Sequence, residues 1–168
     1  MTTTEQTNQR PWYFAWVILF MVPFTGMGID LYAPSLPWIM KAFGTTVTLT
    51  KLTIPMFLIG YALGPIFFGT LSDTYGRKPL LYWGLLLYVF SCFVMIVMPN
   101  IWVMLAMRIF QGAAAGSIGV AFRAMTSDTY KVGHELHKMG ASIGTAWTLG
   151  PVIAPFIGSY LQHFFGWQ

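Results

Sequence analysis

The chain has 168 residues and a formal net charge of +4, and 56% of its residues are hydrophobic while only 8% are charged. Soluble globular domains carry about 25% charged residues, so the composition excludes an ordinary soluble domain and indicates a lipid bilayer as partner. No basic cluster interleaves with aromatic residues, and we expect no nucleic-acid partner. The single cysteine, Cys92, lies in an apolar run, where it cannot form an intrachain disulfide and is expected to be a packing residue.

Five apolar segments follow a polar N-terminal tail. Each is about 20 residues long, which corresponds to about 30 Å of helix and matches a bilayer core. We therefore predict an all-α polytopic membrane protein with a cytoplasmic tail at residues 1–11 and a transmembrane bundle over residues 12–168. The predicted helices are residues 12–31, 52–71, 80–98, 101–122 and 139–161.

The first predicted span contains one acid, Asp30, close to its far end. An ionised carboxylate at the centre of a membrane helix costs roughly 2.5–3.5 kcal/mol on insertion scales. Asp30 should therefore face a cavity, a partner or water. The alternative is that it lies at the outer membrane interface, next to an outer loop predicted over residues 41–51.

A short charged turn joins the second and third spans. We expect Gly69 to allow close approach of backbones and Gly76 to permit a sharp turn, while Arg77 and Lys78 mark the cytoplasmic side. Asp73 lies at the C-terminal end of a helix, where an acid opposes the helix dipole, so it should have a partner elsewhere. The third span has no embedded charge and is interpreted as a scaffold or lipid-facing helix.

The fourth span contains Arg108, about 10 Å from its outer end, and Gln111 about one turn further on. Arginine does not lose its proton at physiological pH, so its use is to keep a nearby carboxylate charged or to grip a substrate. The alternative is a side chain that snorkels to the outer interface.

A second cytoplasmic loop is predicted over residues 123–138, where Asp128 is either a plain surface acid or part of a charge cluster. Its two histidines lack nearby thiols or acids in array, and we predict no metal site. The fifth span has two prolines four residues apart among glycines, which predicts a bent and tightly packed helix. The residues concerned are Gly150, Pro151, Pro155 and Gly158.

The distribution of basic residues predicts the orientation of the bundle. With the N-terminus inside, the outer loops hold only Lys41 and Lys51. The cytoplasmic segments hold Arg10, Arg77, Lys78, Arg123, Lys131 and Lys138. This bias favours a cytoplasmic N-terminus.

Several motifs resemble those of one transporter family. The pattern G-x-L-x-D-x-x-G-R-K-x-L at residues 69–80 resembles the loop 2–3 signature of the major facilitator superfamily, and residues 108–112 resemble its fourth-helix R-x-x-Q-G motif. Residues 30–37 are similar to the D-x-Y-x-P-x-L-P stretch of Bcr/CflA-type drug:proton antiporters. Residues 150–158 depart from the family's usual G-P-x-x-G-G motif and match the A-P-x-x-G variant of Bcr/CflA-like members.

The resemblance implies roles for these residues. Asp30 would belong to the transport pathway, and Arg108 and Gln111 would line a central cavity tied to proton coupling. Because Asp30 and Arg108 are embedded charges of opposite sign, we predict that both lie on the same cavity. Arg77 would pair with Asp128 and, with Asp73, form a charge cluster that controls conformation. The glycines and prolines of the fifth span would act as a seal or pivot.

The resemblance covers essentially the whole chain but only five of the family's twelve helices, and the chain stops where helix six is expected. It implies the N-terminal part of a proton-coupled exporter of drugs or other small molecules in the bacterial inner membrane, driven by the proton gradient without a cofactor. A separate C-terminal half would be a partner. The alternative is a truncated membrane fragment without transport activity. An enzyme is not favoured, because the sequence has no Ser/His/Asp set, metal cluster or phosphate loop.

Overall fold

The fold is all-helical in a computed structural model that describes residues 13–130 and 133–166. Five helical stretches are long and apolar enough to cross a membrane. The predicted all-α polytopic fold is confirmed, while the predicted tail at residues 1–11 lies outside the described residues. The elements are α1 (Tyr13–Asp30), a 3₁₀ turn (Ala33–Ser35), α2 (Leu36–Phe43), α3 (Val47–Tyr75), α4 (Arg77–Val97), α5 (Ile101–Thr129) and α6 (His134–Phe165).

We call the end of the bundle at which α1 begins the proximal end, and the opposite end the distal end. At the distal end, α3 begins at Val47 rather than at Leu52. Thr46 caps this helix, because its Oγ1 accepts a hydrogen bond from the backbone N–H of Leu49 at 3.3 Å. The expectation of an outer loop over residues 41–51 is therefore wrong for most of that range, since α2 continues to Phe43 and α3 begins at Val47.

At the proximal end, the helices also continue past the apolar runs. Helix α3 ends at Tyr75 and α4 begins at Arg77, so Gly76, at φ +92°, is the only residue between them. The expected loop over residues 123–138 is likewise mostly helical, because α5 continues to Thr129 and α6 begins at His134. Charged and hydroxyl side chains can leave the membrane while the helical backbone keeps its own hydrogen bonds, so hydropathy does not mark these helix ends.

The crossing of α3 and α5 forms the centre of the bundle, and four glycines make it. A Cβ on any of them would collide with backbone of the facing helix; on Gly112 it would overlap the carbonyl of Phe57. Close contact between membrane helices uses small residues in this way. The four are Gly60, Gly64, Gly112 and Gly116.

Polarity is arranged as expected for a protein surrounded by lipid. Several small hydroxyl side chains lie inside: Thr53, Ser91 and Ser117 are fully buried. Ser91 and Ser117 donate to carbonyls one turn back in their own helices, so their polar groups are satisfied within the helix. Large apolar side chains cover the outside; on α4 these include Trp83, Leu86, Val89, Phe90 and Phe93.

Candidate functional site

A cavity of about 670 Å³ opens in the distal half of the bundle, between α1, α4, α5 and α6. Five of its polar side chains, from α4, α5 and the segment after α1, form one group. The remaining wall is largely apolar and includes Met95, Ile96, Met104 and Leu161. The polar group consists of Tyr32, Tyr88, Cys92, Arg108 and Gln111.

Arg108 is the charged residue of this cavity, and its side chain is only 5% exposed. Its Nη1 donates a hydrogen bond to the carbonyl of Gly28 at 3.2 Å. That carbonyl belongs to the last turn of α1, where a cation complements both the unpaired acceptor and the negative end of the helix dipole. The guanidinium carbon also lies 3.4 Å from the centre of the Tyr32 ring, in a cation–π contact.

Tyr32 is held from its other side by α3. Thr53 donates its own proton to the carbonyl of Thr50 at 2.6 Å, so its oxygen is left to accept from the Tyr32 hydroxyl. Arg108 therefore rests on an aromatic ring that is fixed by a buried hydroxyl. This arrangement joins α5 and α3 through the segment that follows α1.

Gln111 lies one turn after Arg108, on the same face of α5. Its Nε2 donates to Cys92 Sγ at 3.0 Å. Among the described residues, Gln111 Oε1 and Arg108 Nε are buried without a hydrogen-bond partner. Buried polar atoms are nearly always paired, so one unpaired donor and one unpaired acceptor, side by side, are unusual.

The distal side of the cavity is bordered by contacts between α6 and the segment after α1. With its amide oriented to satisfy both neighbours, Gln162 donates to the carbonyl of Pro34 at 3.0 Å and accepts from Nε1 of Trp38. Gln162 itself lines the cavity. A polar contact thus ties α6 to α2 and the 3₁₀ turn at the distal end.

The structure does not place Asp30 in this cavity, contrary to the expectation that Asp30 and Arg108 share one. Gly28 at the end of α1 lines it together with Leu31 and Tyr32 of the turn that follows, whereas Asp30 is not among its lining residues. Within the described part of the chain, the Asp30 carboxylate forms no ion pair with Arg108.

Two residues of the expected charge cluster, Arg77 and Asp128, contact each other at the proximal end. Arg77 Nε donates to Asp128 Oδ2 at 3.2 Å, and its Nη1 donates to the buried Ser72 hydroxyl at 2.8 Å. One side chain therefore links the α3–α4 junction to the end of α5. Lys78 is exposed, whereas the side chain of Asp73 lies outside the described part, so its expected partner is not identified.

Gly69 does not make the close backbone approach that was expected of it. Among the described residues, no atom lies within 4 Å of the position its Cβ would occupy. The close approaches lie elsewhere on α3, at Gly60 and Gly64, where the helix crosses α5. The glycine pattern of the turn resembles the family signature, but it does not reveal which glycine contacts a neighbouring helix.

Two glycines of α6 form its contact with α1. A Cβ on Gly150 would lie 2.5 Å from the carbonyl of Pro23, and one on Gly158 would overlap the carbonyl of Leu31. Pro151 lies beside Gly26, while Pro155 is exposed. Gly158 also lines the cavity, so the α1–α6 contact forms part of its wall.

The sequence analysis did not assign Tyr32, Tyr88 or Cys92 to a cavity, and it interpreted Cys92 as a packing residue. Tyr88 and Cys92 are four residues apart and share one face of α4, the helix that was interpreted as scaffold. The spacing of two polar side chains on an otherwise apolar helix was the available signal. It was missed because the third predicted span was interpreted as scaffold on the ground that it contains no charged residue.

Comparison with known proteins agrees with the motifs. The family model described as Major Facilitator Superfamily matches residues 18–168. A chloramphenicol resistance protein of Pseudomonas aeruginosa is 30% identical over 154 residues, which cover 90% of this chain and 37% of that protein. A bicyclomycin resistance protein homolog of Haemophilus influenzae is 30% identical, with 90% and 37% covered.

A more distant relative, multidrug resistance protein D of Escherichia coli, is 22% identical over 152 residues, covering 90% of this chain and 38% of that protein. The chain thus spans less than two fifths of the length of these three curated relatives. The names of these relatives are consistent with the Bcr/CflA-type branch that the motifs of α1 and α6 resemble.

Proposed function

Because the chain belongs to the Major Facilitator Superfamily, we propose that it forms the N-terminal transmembrane bundle of a proton-coupled exporter of small molecules. The observation that carries this proposal is the intramembrane cavity built around the buried Arg108 and Gln111. A cavity of about 670 Å³ falls within the range of about 300–1,000 Å³ that is usual for sites of drug-sized ligands. The names of the chloramphenicol and bicyclomycin relatives support drugs as substrates.

Transport requires a second bundle. The cavity is bounded by one set of helices, whereas alternating access in this family moves two bundles against each other around a site near the membrane midplane. We therefore propose a C-terminal half as partner and no cofactor. The bias of Lys and Arg supports a cytoplasmic N-terminus, and the bacterial relatives support the bacterial inner membrane.

Proton coupling is assigned in this proposal to Asp30. It lies between Gly28, whose carbonyl accepts from Arg108, and Tyr32, whose ring supports Arg108. A change in the charge of Asp30 would act on the end of α1 and so reach Arg108 without direct contact. Arg108 keeps its charge, and Asp30 is the proton-carrying side chain of this arrangement.

The alternative is a membrane protein that does not transport by itself. The share of the relatives that the chain covers, below two fifths, favours this alternative when no second bundle is supplied. Under both proposals the isolated chain should insert in the membrane, because its helices satisfy their own backbone groups, and should not transport. The two proposals differ in a chimaera that supplies a second bundle, which exports only under the first.

A chimaera tests both proposals. Residues 1–168 replace the matched N-terminal part of the Pseudomonas aeruginosa relative, and an efflux-deficient bacterium expresses the chimaera, the 168-residue chain alone or an empty vector. We expect the chimaera to lower chloramphenicol accumulation and the chain alone to have no effect. In the chimaera, Asp30→Asn should abolish efflux driven by a pH gradient while allowing some downhill leak.

Membrane insertion of every variant is checked first. A membrane-inserted chimaera that accumulates as much drug as the empty-vector strain would refute the export proposal. Unchanged pH-driven efflux in the Asp30→Asn chimaera would refute the assignment of proton coupling to Asp30. Efflux by the chain alone would refute the need for a second bundle.

A further inference from the structure

We infer that the Arg108 cavity binds apolar organic anions, with a carboxylate of the ligand against the Arg108 guanidinium. This inference deepens the proposed function, since it names the substrate class of the same cavity. It starts from the burial of Arg108, whose side chain is 5% exposed in a segment that crosses the membrane. A buried cation is normally compensated by an anion, because its transfer from water is otherwise strongly unfavourable.

The groups around Arg108 in the described structure are neutral. They are the Gly28 carbonyl, the Tyr32 ring, and the side chains of Tyr88 and Cys92. These groups orient the guanidinium without cancelling its charge.

Each acid whose side chain the structure describes is engaged or located elsewhere. Asp128 pairs with Arg77 at the proximal end, and Glu135 is exposed in the first turn of α6. Asp30 is not among the residues that line the cavity. Within the described residues, the cavity therefore contains a cation with no carboxylate beside it.

Arg108 and Gln111, which line the cavity, each have an unpaired polar atom. Arg108 Nε is a buried donor without a partner among the described residues, although Nη1 of the same side chain is bonded to Gly28. Guanidinium groups bind carboxylates through their N–H fork, so an anion in the cavity would offset the charge, and a rotation of the guanidinium would bring the unpaired N–H to it. Gln111 Oε1, the second unpaired atom, would accept from a donor on the ligand or from a bound water.

The rest of the cavity indicates what the anion is attached to. Its wall includes the thioether and aliphatic side chains of Met95, Ile96, Met104 and Leu161, which favour an apolar body. Methionine side chains adapt to different shapes and contact aromatic rings favourably. An aromatic monocarboxylate matches this combination, whereas an organic cation would meet the like charge of Arg108.

The test uses three probes of similar shape: 2-naphthoate, the neutral 2-naphthamide and the cation 2-naphthylmethylammonium. Their binding to the purified 168-residue chain in nanodiscs of zwitterionic lipid is measured by isothermal titration calorimetry. We expect 2-naphthoate to bind at least about tenfold more tightly than the ammonium probe. Arg108→Gln should weaken 2-naphthoate binding at least about tenfold, to the level of 2-naphthamide.

Two further variants make the result interpretable. Arg123→Gln removes an exposed cation from the same helix and should leave the binding of all three probes unchanged. Gln111→Glu introduces a carboxylate one turn from Arg108, so it should reduce 2-naphthoate binding and improve binding of the ammonium probe. Gln111→Glu also replaces the test at Arg108 if Arg108→Gln does not fold.

Several results would overturn the inference: tighter or equal binding of the ammonium probe, no binding of any probe, or 2-naphthoate affinity that survives both Arg108→Gln and Gln111→Glu. The transport assay keeps this inference separate from the proposed function. A chimaera that exports chloramphenicol, together with a cavity that shows no preference for the anion, would refute the inference alone.

Discussion

Arg108 is held by groups from outside its own helix. The Gly28 carbonyl comes from α1 and the Tyr32 ring from the segment after α1, and Tyr32 in turn contacts Thr53 of α3. Arg108 itself extends from α5. The position of the guanidinium therefore depends on α1, α3 and α5. Tyr32 connects it to α3, because the ring contacts Arg108 and the hydroxyl contacts Thr53.

Substitutions of Tyr32 separate its two contacts. Tyr32→Phe removes the hydroxyl bonded to Thr53 but keeps the ring, and should lower the free energy of unfolding by about 1 kcal/mol. Tyr32→Leu also removes the cation–π contact and should cost about 2 kcal/mol more, because Arg108 is desolvated. Denaturant titration of the purified chain in mixed micelles measures both. Equal losses would show that the ring contributes nothing beyond its hydroxyl.

At the scale of the helices, the α3–α5 crossing is the contact with the least freedom to adjust. Backbone rather than side chain lies opposite each of its four glycines, so an added methyl group has no flexible neighbour to displace. Gly144 of α6 is also a helical glycine, but within the described residues nothing lies within 4 Å of its Cβ position. Gly144 and the crossing glycines all lie inside α-helices, but of these five, in the part of the chain that the structure describes, only the crossing glycines contact a neighbouring helix.

This difference predicts opposite effects of one substitution. Gly112→Ala should destabilise the chain by about 1–3 kcal/mol, because the new Cβ overlaps the Phe57 carbonyl and forces the helices apart. Gly144→Ala should be neutral or stabilising by up to about 1 kcal/mol, since alanine is the better helix former. Thermal unfolding in detergent compares them. Comparable melting temperatures for the two variants would contradict the tight crossing.

The sequence predicted the existence of the helices better than their ends and phases. The apolar runs identify the five spans and the start of α5 at Ile101, but α3 begins at Val47 after its Thr46 cap rather than at Leu52, and α5 continues to Thr129 rather than ending at Phe122. Hydropathy does not record such caps. The prediction that Asp30 and Arg108 share a cavity failed for a similar reason. An embedded acid indicates that a cavity is near, but the sequence does not give the orientation of the end of α1, which decides which cavity Asp30 faces.

For the whole molecule, the proximal contacts of Arg77 join α3, α4 and α5. The Arg77 and Asp128 side chains are 31% and 50% exposed, so solvent screens their attraction and an exposed pair contributes about 0–1 kcal/mol. Their position at the junction of α3, α4 and α5 suggests a part in conformation rather than in stability. This role is a proposal that stability measurements alone do not test.

Asp128→Asn should therefore reduce transport far more than stability. We expect a loss of less than about 1 kcal/mol in unfolding free energy, an unchanged affinity for 2-naphthoate, and slower drug efflux by the chimaera. Efflux assays and calorimetry on the same variant measure the contrast. A tenfold or greater loss of affinity, about 1.4 kcal/mol, would show instead that the pair supports the binding site.

The single residue between α3 and α4 has a consequence for how the protein is made. Gly76 alone separates these two membrane-spanning helices, so no flexible stretch lets one helix settle before the other. During synthesis, α3 and α4 must enter the bilayer as one hairpin, and the orientation of the first fixes that of the second. Arg77 and Lys78, beside the turn, would then keep the C-terminal end of α3 and the N-terminal end of α4 on the same side of the membrane. One pair of charges would thus set the orientation of both helices.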